Sequence, residues 1–232
     1  MRTYSSIIFA AALLVIASCG ASNNKNSATD KNGAVIADPD SVQADSAASA
    51  KKELTVMDKI ANLPEEPVFE MVTSLGTMKI KLYKNTPKHR ENFEKLAISG
   101  FYNGILFHRV IGGFMIQGGD PLSKDPSCRD QWGTGGPGYN VPAEIKPEYK
   151  HKKGALAAAR RGDAVNPYKE SSGSQFYIVH DARACAQLDG QYTVFGEVIE
   201  GLDVIDTIAG VATDYRDRPE SDVKIIAVKL AE

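Results

Sequence analysis

The sequence is poor in cysteine and has no excess of positive charge. Its 232 residues include only three cysteines, Cys19, Cys128 and Cys185, which are too few for a disulfide-stapled scaffold. Cys128 and Cys185 would be able to pair in an oxidising compartment, and nothing in the sequence fixes their separation. The net charge of −2 gives no sign of a basic surface, so we expect no nucleic-acid partner.

The sequence also lacks the usual signatures of hydrolases, metalloenzymes and dinucleotide-binding domains. It contains no G-x-S-x-G, so no serine occupies the nucleophile elbow of a hydrolase. The four histidines show no metal-ligand spacing, and we expect neither a metal nor a cofactor. Residues 133–138 do match G-x-G-x-x-G. They follow a polar loop, however, and Pro137 keeps the chain extended, so they do not predict a dinucleotide site.

Residues 1–18 have the pattern of a signal peptide rather than of a membrane span. Arg2 supplies the positive start, and the apolar run from Ile7 to Ala17 is too short to cross a bilayer. Residues 16–19 (I-A-S-C) resemble a bacterial lipobox, which implies that Cys19 is lipidated and becomes the first residue after cleavage. The alternative is an ordinary secretory signal with an incidental cysteine. The lipobox implies a location in a bacterial cell envelope, lipid-anchored and facing the periplasm or the cell surface.

Residues 19–66 are expected to form the lipidated cysteine and a flexible linker, and residues 67–232 the folded domain. Between Gly20 and Pro67 there is no aromatic residue, so this stretch cannot bury a core. A short helix is predicted within residues 51–63 from the spacing of apolar residues. As flexible coil the linker has an r.m.s. span of about 35–40 Å, enough to hold the domain away from a membrane.

One stretch of the folded part, residues 107–120, reads F-H-R-V-I-G-G-F-M-I-Q-G-G-D. Two short apolar runs flank Gly112-Gly113, a pair that accepts the positive φ of a tight reversal, so a β-hairpin is predicted. Strand alternation brings Arg109 near large apolar side chains and an amide, with Asp120 the nearest carboxylate along the chain. A salt-bridged surface arginine is the alternative interpretation.

This stretch resembles the cyclophilins, which are peptidyl-prolyl cis-trans isomerases. Residues 172–179 (S-G-S-Q-F-Y-I-V) and 188–196 (L-D-G-Q-Y-T-V-F-G) resemble the same family, in the expected order. The resemblance extends from Val68 to Leu230. It implies a mainly β fold, a closed eight-stranded antiparallel β-barrel capped by two α-helices, and the many short strand-like segments also favour a barrel.

Two helices and two long connections are predicted around the strands. Thr86 suits the N-cap and Gly100 the end of the first helix, and residues 202–209 form the second. Residues 119–154 and 160–174 are long connections for a compact domain. Because both adjoin the signature strands, we expect them to form the rims of one groove.

The resemblance also implies roles for individual residues. Arg109 would donate a hydrogen bond to the nitrogen of the twisting prolyl amide, with Phe114 and Gln117 completing the catalytic set. His108 is expected to be a hydrogen-bonded structural histidine rather than a catalyst. The residues expected to bind substrate are Met115, Ala159, Arg160, Gln175, Tyr177, Leu188 and Tyr192.

The implied activity is rotation about X-Pro bonds during the folding of exported proteins. The expected partners are proline-containing polypeptides and, through the lipid, a membrane, with the protein itself a monomer. A second interpretation is a binding module that uses the same groove as a chaperone. A third, a purely structural lipoprotein, leaves Arg109, Phe114, Met115 and Gln117 unexplained.

The chain departs from the family pattern at several of these positions. Tyr177 stands where phenylalanine is usual, Tyr192 where histidine is usual and Arg160 where asparagine is frequent. Gln187 stands where many eukaryotic members have a tryptophan that packs on cyclosporin. The sole tryptophan, Trp132, lies in the first long connection, so weak cyclosporin binding is expected.

Overall fold

One antiparallel sheet dominates the structure, a computed structural model that describes residues 56 and 58–232. The predicted signal peptide and most of the predicted linker lie outside these residues, while residues 58–61, within the predicted short helix, are helical. The strands are β1 (Val68–Thr73), β2 (Gly76–Leu82), β3 (Arg109–Ile111), β4 (Met115–Gly118), β5 (Asn140–Val141), β6 (Ala155–Ala158), β7 (Ser171–Ser172), β8 (Phe176–Val179), β9 (Val194–Glu200) and β10 (Ile225–Leu230). The α-helices are α1 (Pro87–Ile98), α2 (Ala182–Cys185) and α3 (Leu202–Ala209).

The first two strands form the predicted hairpin and supply much of the core. Alternate side chains point inward, so Phe69, Met71 and Met78 are fully buried. They share one apolar cluster with Phe93 of α1 and Ile205 of α3. Both predicted helices therefore pack on the inner face of the sheet.

The main sheet has eight strands, which pair in the order β10-β1-β2-β9-β6-β8-β4-β3. The prediction of a closed barrel is wrong, because β3 and β10 remain the two edges of the sheet. β3 is only three residues long. The chain just before it meets the other edge through one isolated bridge, Leu106 with Lys224, and a few backbone hydrogen bonds, not through a regular ladder. The mainly β architecture is thus a half-open barrel.

Helix α1 begins where the sequence predicts, with Thr86 as N-cap and Pro87 in the first turn. The Thr86 side chain makes no capping hydrogen bond. Instead, the Glu144 carboxylate accepts hydrogen bonds from the backbone N–H groups of Lys88 (3.1 Å) and His89 (3.0 Å). A carboxylate at a helix N-terminus satisfies free donors and complements the helix dipole, so Glu144 ties the first long connection to α1.

β3 and β4 form the predicted central hairpin. Arg109 pairs with Gln117 across the ladder, and Val110 pairs with Ile116. Val110 and Ile116 belong to the core, so Arg109 and Gln117 lie on the opposite, outer face. Gly113 has φ 77° in the turn, a conformation that favours glycine.

The two long connections have structure of their own and meet beside the sheet. The first contains the 3-10 helices Pro121–Lys124 and Pro126–Gln131, and its strand β5 pairs with β7 of the second. Cys128 lies in the first connection and Cys185 in α2. Both are free thiols, so the two cysteines do not form a disulfide.

Candidate active site

A small cavity opens on the outer face of the central hairpin. Its volume is about 140 Å³, and an apolar cavity of about 150 Å³ holds a benzene molecule, so it is large enough for a pyrrolidine ring. Gln175, also predicted to bind substrate, lines an adjacent cavity of about 670 Å³. The other predicted catalytic and substrate-binding residues all line the small cavity: Arg109, Phe114, Met115, Gln117, Ala159, Arg160, Tyr177, Leu188 and Tyr192.

The apolar walls of this cavity, here called the proline pocket, belong to a second buried cluster. Met115 at the start of β4 is 2% exposed and Tyr177 of β8 is 5% exposed. Phe114, Leu188 and Tyr192 are partly buried and pack on the same cluster. The walls come from two strands and two loops, which explains why the residues are scattered along the chain.

Arg109 lies at the rim of the proline pocket and faces a carboxylate that the sequence did not point to. Its Nε is 3.5 Å from Oδ2 of Asp217, with the two side chains 43% and 45% exposed. The carboxylate nearest in sequence, Asp120, is buried and binds backbone N–H groups instead. Exposed ion pairs contribute about 0–1 kcal/mol to stability, so the main effect of Asp217 is on the direction of the guanidinium.

Gln117 and Gln175 form a network that connects the pocket with the first long connection. Gln117 Nε2 donates to Gln175 Oε1 (3.1 Å). Gln175 Nε2 in turn donates to the carbonyl oxygens of Gly133 (3.0 Å) and Gly135 (2.7 Å). The side-chain oxygen of Gln117 is not used by this network and lies on the same sheet face as Arg109.

The glycine-rich segment 133–138 positions that network. The fully buried Asp120 carboxylate accepts hydrogen bonds from the N–H groups of Gly133 and Gly135. A Cβ atom at Gly135 would overlap Oδ1 of Asp120, so the approach requires glycine. The segment is a loop that opens no helix, which agrees with its rejection as a dinucleotide site.

Arg160 lines the proline pocket and also supports Tyr192, another of its walls. Its side chain is 5% exposed and forms an ion pair with Asp163. Nε donates to the carbonyl of Gln191 (3.1 Å), and the guanidinium lies 4.4 Å from the centre of the Tyr192 ring. A cation over an aromatic face is attractive, so Arg160 holds Tyr192 in place.

His108 is buried, and the hydrogen bonds predicted for it are not formed in regular geometry at either ring nitrogen. It is 3% exposed. Burial lowers the pKa of His108 to about 4; Asp120 and a contact with the backbone of Leu106 oppose this shift, and Arg218 and Arg109 add to it. The ring is therefore neutral near pH 7, and it does not line the proline pocket.

Three further residues adjoin the site without having been predicted. Asp217 contacts Arg109, as described above. His151 and Asp189 continue from the hydroxyl of Tyr177, with a 2.8 Å contact at each step. Asp189 follows Leu188 within a recognised block, which was a usable signal, whereas no short-range pattern points to His151 or Asp217.

Neither Gln187 nor Trp132 lines the two cavities. Gln187 is exposed, in the 3-10 turn Ala186–Leu188. Trp132 is 8% exposed, and the guanidinium groups of Arg129 and Arg218 lie 5.2 Å and 5.8 Å from the centre of its ring. Trp132 therefore does not replace the tryptophan missing at position 187.

Within residues 58–232, no group of histidine, cysteine and acidic side chains is arranged to hold a metal ion. In the same part of the chain, no helix is both long and apolar enough to cross a membrane.

The fold and the proline pocket define a peptide-binding β-domain. None of the residues lining the pocket is a carboxylate, histidine, serine or cysteine, so the pocket has no nucleophile and no acid–base pair of the kind hydrolases use. An apolar pocket for one ring, lined also by the amide of Gln117 and the guanidinium groups of Arg109 and Arg160, suits the recognition of proline within a peptide.

Comparison with known proteins agrees with this class. Residues 68–230 match the family model of cyclophilin type peptidyl-prolyl cis-trans isomerases. The chain is 38% identical over 167 residues to human peptidyl-prolyl cis-trans isomerase-like 1, covering 70% of this chain and 91% of that protein. It is 39% identical over 162 residues to peptidyl-prolyl cis-trans isomerase-like 2 of Rhizopus delemar, covering 69% of this chain but only 28% of the relative.

Solved structures show the same similarity. The crystal structure of a cyclophilin type peptidyl-prolyl cis-trans isomerase from Cryptosporidium parvum has a TM-score of 0.64 and 31% identity, covering 72% of this chain and 98% of that one. A structure determined in the presence of the dipeptide Ala-Pro has a TM-score of 0.63. The chain therefore belongs to the cyclophilin-type peptidyl-prolyl cis-trans isomerases, and residues 68–230 form its isomerase domain.

Proposed function

We propose that the domain accelerates rotation about X-Pro bonds in exported polypeptides, with Arg109 as the group that stabilises the twisted amide. The observation that carries this proposal is the place of Arg109 at the rim of the proline pocket, on the same sheet face as Gln117. The relative whose structure was determined with Ala-Pro supports a prolyl substrate.

The chemistry needs a binding pocket and one donor. Amide resonance creates a rotational barrier of about 18–20 kcal/mol. As the C–N bond turns, the proline nitrogen becomes pyramidal and regains its lone pair. A guanidinium directed at that nitrogen stabilises the twisted state more than either planar state, which is the condition for catalysis. A 10⁵-fold acceleration requires about 7 kcal/mol.

The remaining residues would hold the peptide during rotation. Phe114, Met115 and Tyr177 would grip the proline ring in the buried part of the pocket. The Gln117–Gln175 network would bind the peptide backbone, because Gln175 is hydrogen-bonded to Gln117 and also lines the larger cavity. That larger cavity, about 670 Å³ in volume, would take residues flanking the proline.

A binding module without catalysis is the second candidate, favoured by the size of the adjacent cavity. Binding alone does not need a guanidinium beside the pocket. Isomerisation of a short Ala-Pro peptide, followed with a protease that cleaves only the trans form, tests the two on the full-length chain. A chain that binds the peptide without accelerating isomerisation would contradict the proposed catalysis.

We also propose, from the sequence of residues 1–19, that the protein is anchored in a bacterial cell envelope by lipid on Cys19. Several acyl chains anchor a protein far more firmly than one, so the domain would stay at the membrane and meet newly exported chains. Cys19→Ser is expected to abolish incorporation of labelled fatty acid and to shift the protein out of the membrane fraction. Undiminished labelling of the variant would refute the anchor, whatever the activity of the domain.

A further inference from the structure

The hydroxyl of Tyr177 points away from the proline pocket into a buried chain of hydrogen bonds. It lies 2.8 Å from His151 Nε2, and His151 Nδ1 lies 2.8 Å from Asp189 Oδ1. The same carboxylate oxygen accepts the backbone N–H of His151 at 2.9 Å. Tyr177 is 5% exposed, and the His151 side chain is completely buried.

The direction of each hydrogen bond follows from Asp189. Burial alone would raise the pKa of Asp189, but the hydrogen bonds from His151 and the charge of Lys150 outweigh it and lower the pKa. The ionised carboxylate only accepts hydrogen bonds, so Nδ1 of His151 carries the proton. The Tyr177 hydroxyl then donates a hydrogen bond to Nε2 of the neutral ring, and the ring of Tyr177 is the part that faces the pocket.

The hydrogen bonds from Tyr177 through His151 to Asp189 link two walls of the proline pocket. Tyr177 lies on β8, whereas Asp189 directly follows Leu188, which forms another wall. The rings of His151 and Tyr177 are nearly parallel, at 9°, and Tyr192 meets both edge-on. A shift of His151 would therefore move the Tyr177 ring relative to Leu188 and change the size of the pocket.

We propose that His151 and Asp189 are positioning residues for the isomerase reaction, which hold the Tyr177 ring in place through its hydroxyl. Neither residue lines the pocket. The phenylalanine that is usual in the family has no hydroxyl. These hydrogen bonds therefore require a tyrosine at position 177. The inference rests on the proposed proline pocket.

A double-mutant cycle separates positioning from ordinary packing. In the parent, His151→Leu leaves the buried Tyr177 hydroxyl without a partner, an unfavourable state that displaces the ring. We expect KM for a short Ala-Pro peptide to rise about tenfold, with kcat changed less than threefold. In the Tyr177→Phe background, which has no hydroxyl to anchor, the same substitution is expected to change KM less than twofold.

His89 provides a matched control. It is also buried between a carboxylate and a hydroxyl, Glu144 at 2.7 Å and Ser171 at 2.9 Å, but it does not line the proline pocket. His89→Leu is expected to lower the melting temperature and leave KM within twofold. An equal rise of KM for His151→Leu in both backgrounds would overturn the inference, because His151 would then act through packing alone.

Milder variants keep the test valid if His151→Leu does not fold. Asp189→Asn retains an oxygen that accepts from His151, so KM is expected to stay within about twofold, whereas Asp189→Ala is expected to raise it. Phe114→Ala tests the pocket itself. A strong rise of KM in Phe114→Ala, without coupling between positions 151 and 177, would refute the positioning role alone; no effect of Phe114→Ala would refute the pocket.

The unmutated protein offers a second measurement. Burial lowers the pKa of His151, against the attraction of Asp189. Once protonated, His151 donates from both nitrogens and no longer accepts from Tyr177, so KM is expected to rise in acid for the parent and less for Tyr177→Phe. Identical acid profiles would count against the inference. The other titratable or charged groups near this chain are Lys150, Arg160, Cys185 and Tyr192.

Discussion

Asp217, in the segment that precedes the last strand, contacts β3 twice, through its side chain at Arg109 and through its backbone at the next residue, Val110. Oδ2 lies 3.5 Å from Arg109 Nε, and the carbonyl oxygen accepts the N–H of Val110 at 2.7 Å. Asp217 has φ 61°, a left-handed conformation that aspartate and asparagine tolerate better than most residues. The edge strand β3 is thus fixed at the residues that carry the arginine at the pocket rim.

Asp217→Asn should therefore weaken catalysis without disturbing the backbone. Asparagine tolerates the left-handed conformation and removes only the charge. Since an exposed ion pair is worth at most about 1 kcal/mol, we expect a two- to fivefold fall in kcat/KM and an almost unchanged melting temperature. Salt weakens the attraction between exposed charges, so the difference in kcat/KM between the variant and the parent should shrink in about 0.5 M salt. A kcat/KM equal to that of the parent at low salt would show that Asp217 does not orient Arg109.

Arg109→Ala should lower kcat/KM at least about 10²-fold, or about 2.7 kcal/mol in the barrier. The proposed mechanism has no other donor for the proline nitrogen, while the arginine is 43% exposed and contributes little to packing. Arg216→Ala is a matched control, because Arg216 is 44% exposed and paired with Asp130 on the surface. Activity of Arg109→Ala within threefold of the parent would refute the role of Arg109.

The elements encoded by local patterns were the predictable ones. The hairpin turn at Gly113, the start of α1 at Pro87 and the strand bearing Tyr177 all depend on residues close in sequence. The barrel stays open because its two edges meet at one isolated bridge, between Leu106 and Lys224, and no local sequence pattern relates these two residues. Pairing between distant segments is set by packing of the whole domain, which one-dimensional spacing does not contain.

The same distinction explains the site. Phe114 and Leu188 lie in segments that resemble the family, so the sequence predicts their place in the pocket, and both line it. Asp217 and His151 reach the site only through the fold, so only the structure identifies them. His108 illustrates the reverse case, since a hydrogen-bonded ring was predicted from the sequence, and the structure leaves both ring nitrogens without a regular hydrogen bond.

His108 should make the domain less stable in acid. Its pKa is about 4 in the folded state, below the value of about 6.5 expected when unfolded. Between these values the unfolded chain binds the extra proton, so stability rises with pH in this window and is lost as pH falls from about 6.5 to 4. The loss from this one group is about 3 kcal/mol. Denaturant unfolding of the parent and His108→Leu at pH 7 and pH 4 measures it.

Other groups also titrate in acid, so the comparison between the two proteins carries the test. The free energy of unfolding should fall less between pH 7 and pH 4 for His108→Leu than for the parent. Leucine also replaces a ring whose nitrogens are unpaired, which is nearly neutral or stabilising for a buried polar group without partners. Equal losses in the two proteins would mean that the pKa of His108 is not lowered.

Gln187→Trp should restore tight binding of cyclosporin. The resemblance to the family places Gln187 where a tryptophan packs on this ligand, and here Gln187 is exposed beside Leu188, a wall of the proline pocket. Glutamine gives up most of a flat surface that can bury 150–250 Å². At about 25 cal/mol per Å², losing half of that contact costs about 2–3 kcal/mol, or roughly 30–150-fold in affinity. Gln187 does not line the pocket, so turnover of a short peptide should change less than about threefold. Inhibition constants for the two proteins, measured side by side, should differ at least tenfold; inhibition of the unmutated protein at low nanomolar concentration would contradict this account of the missing tryptophan.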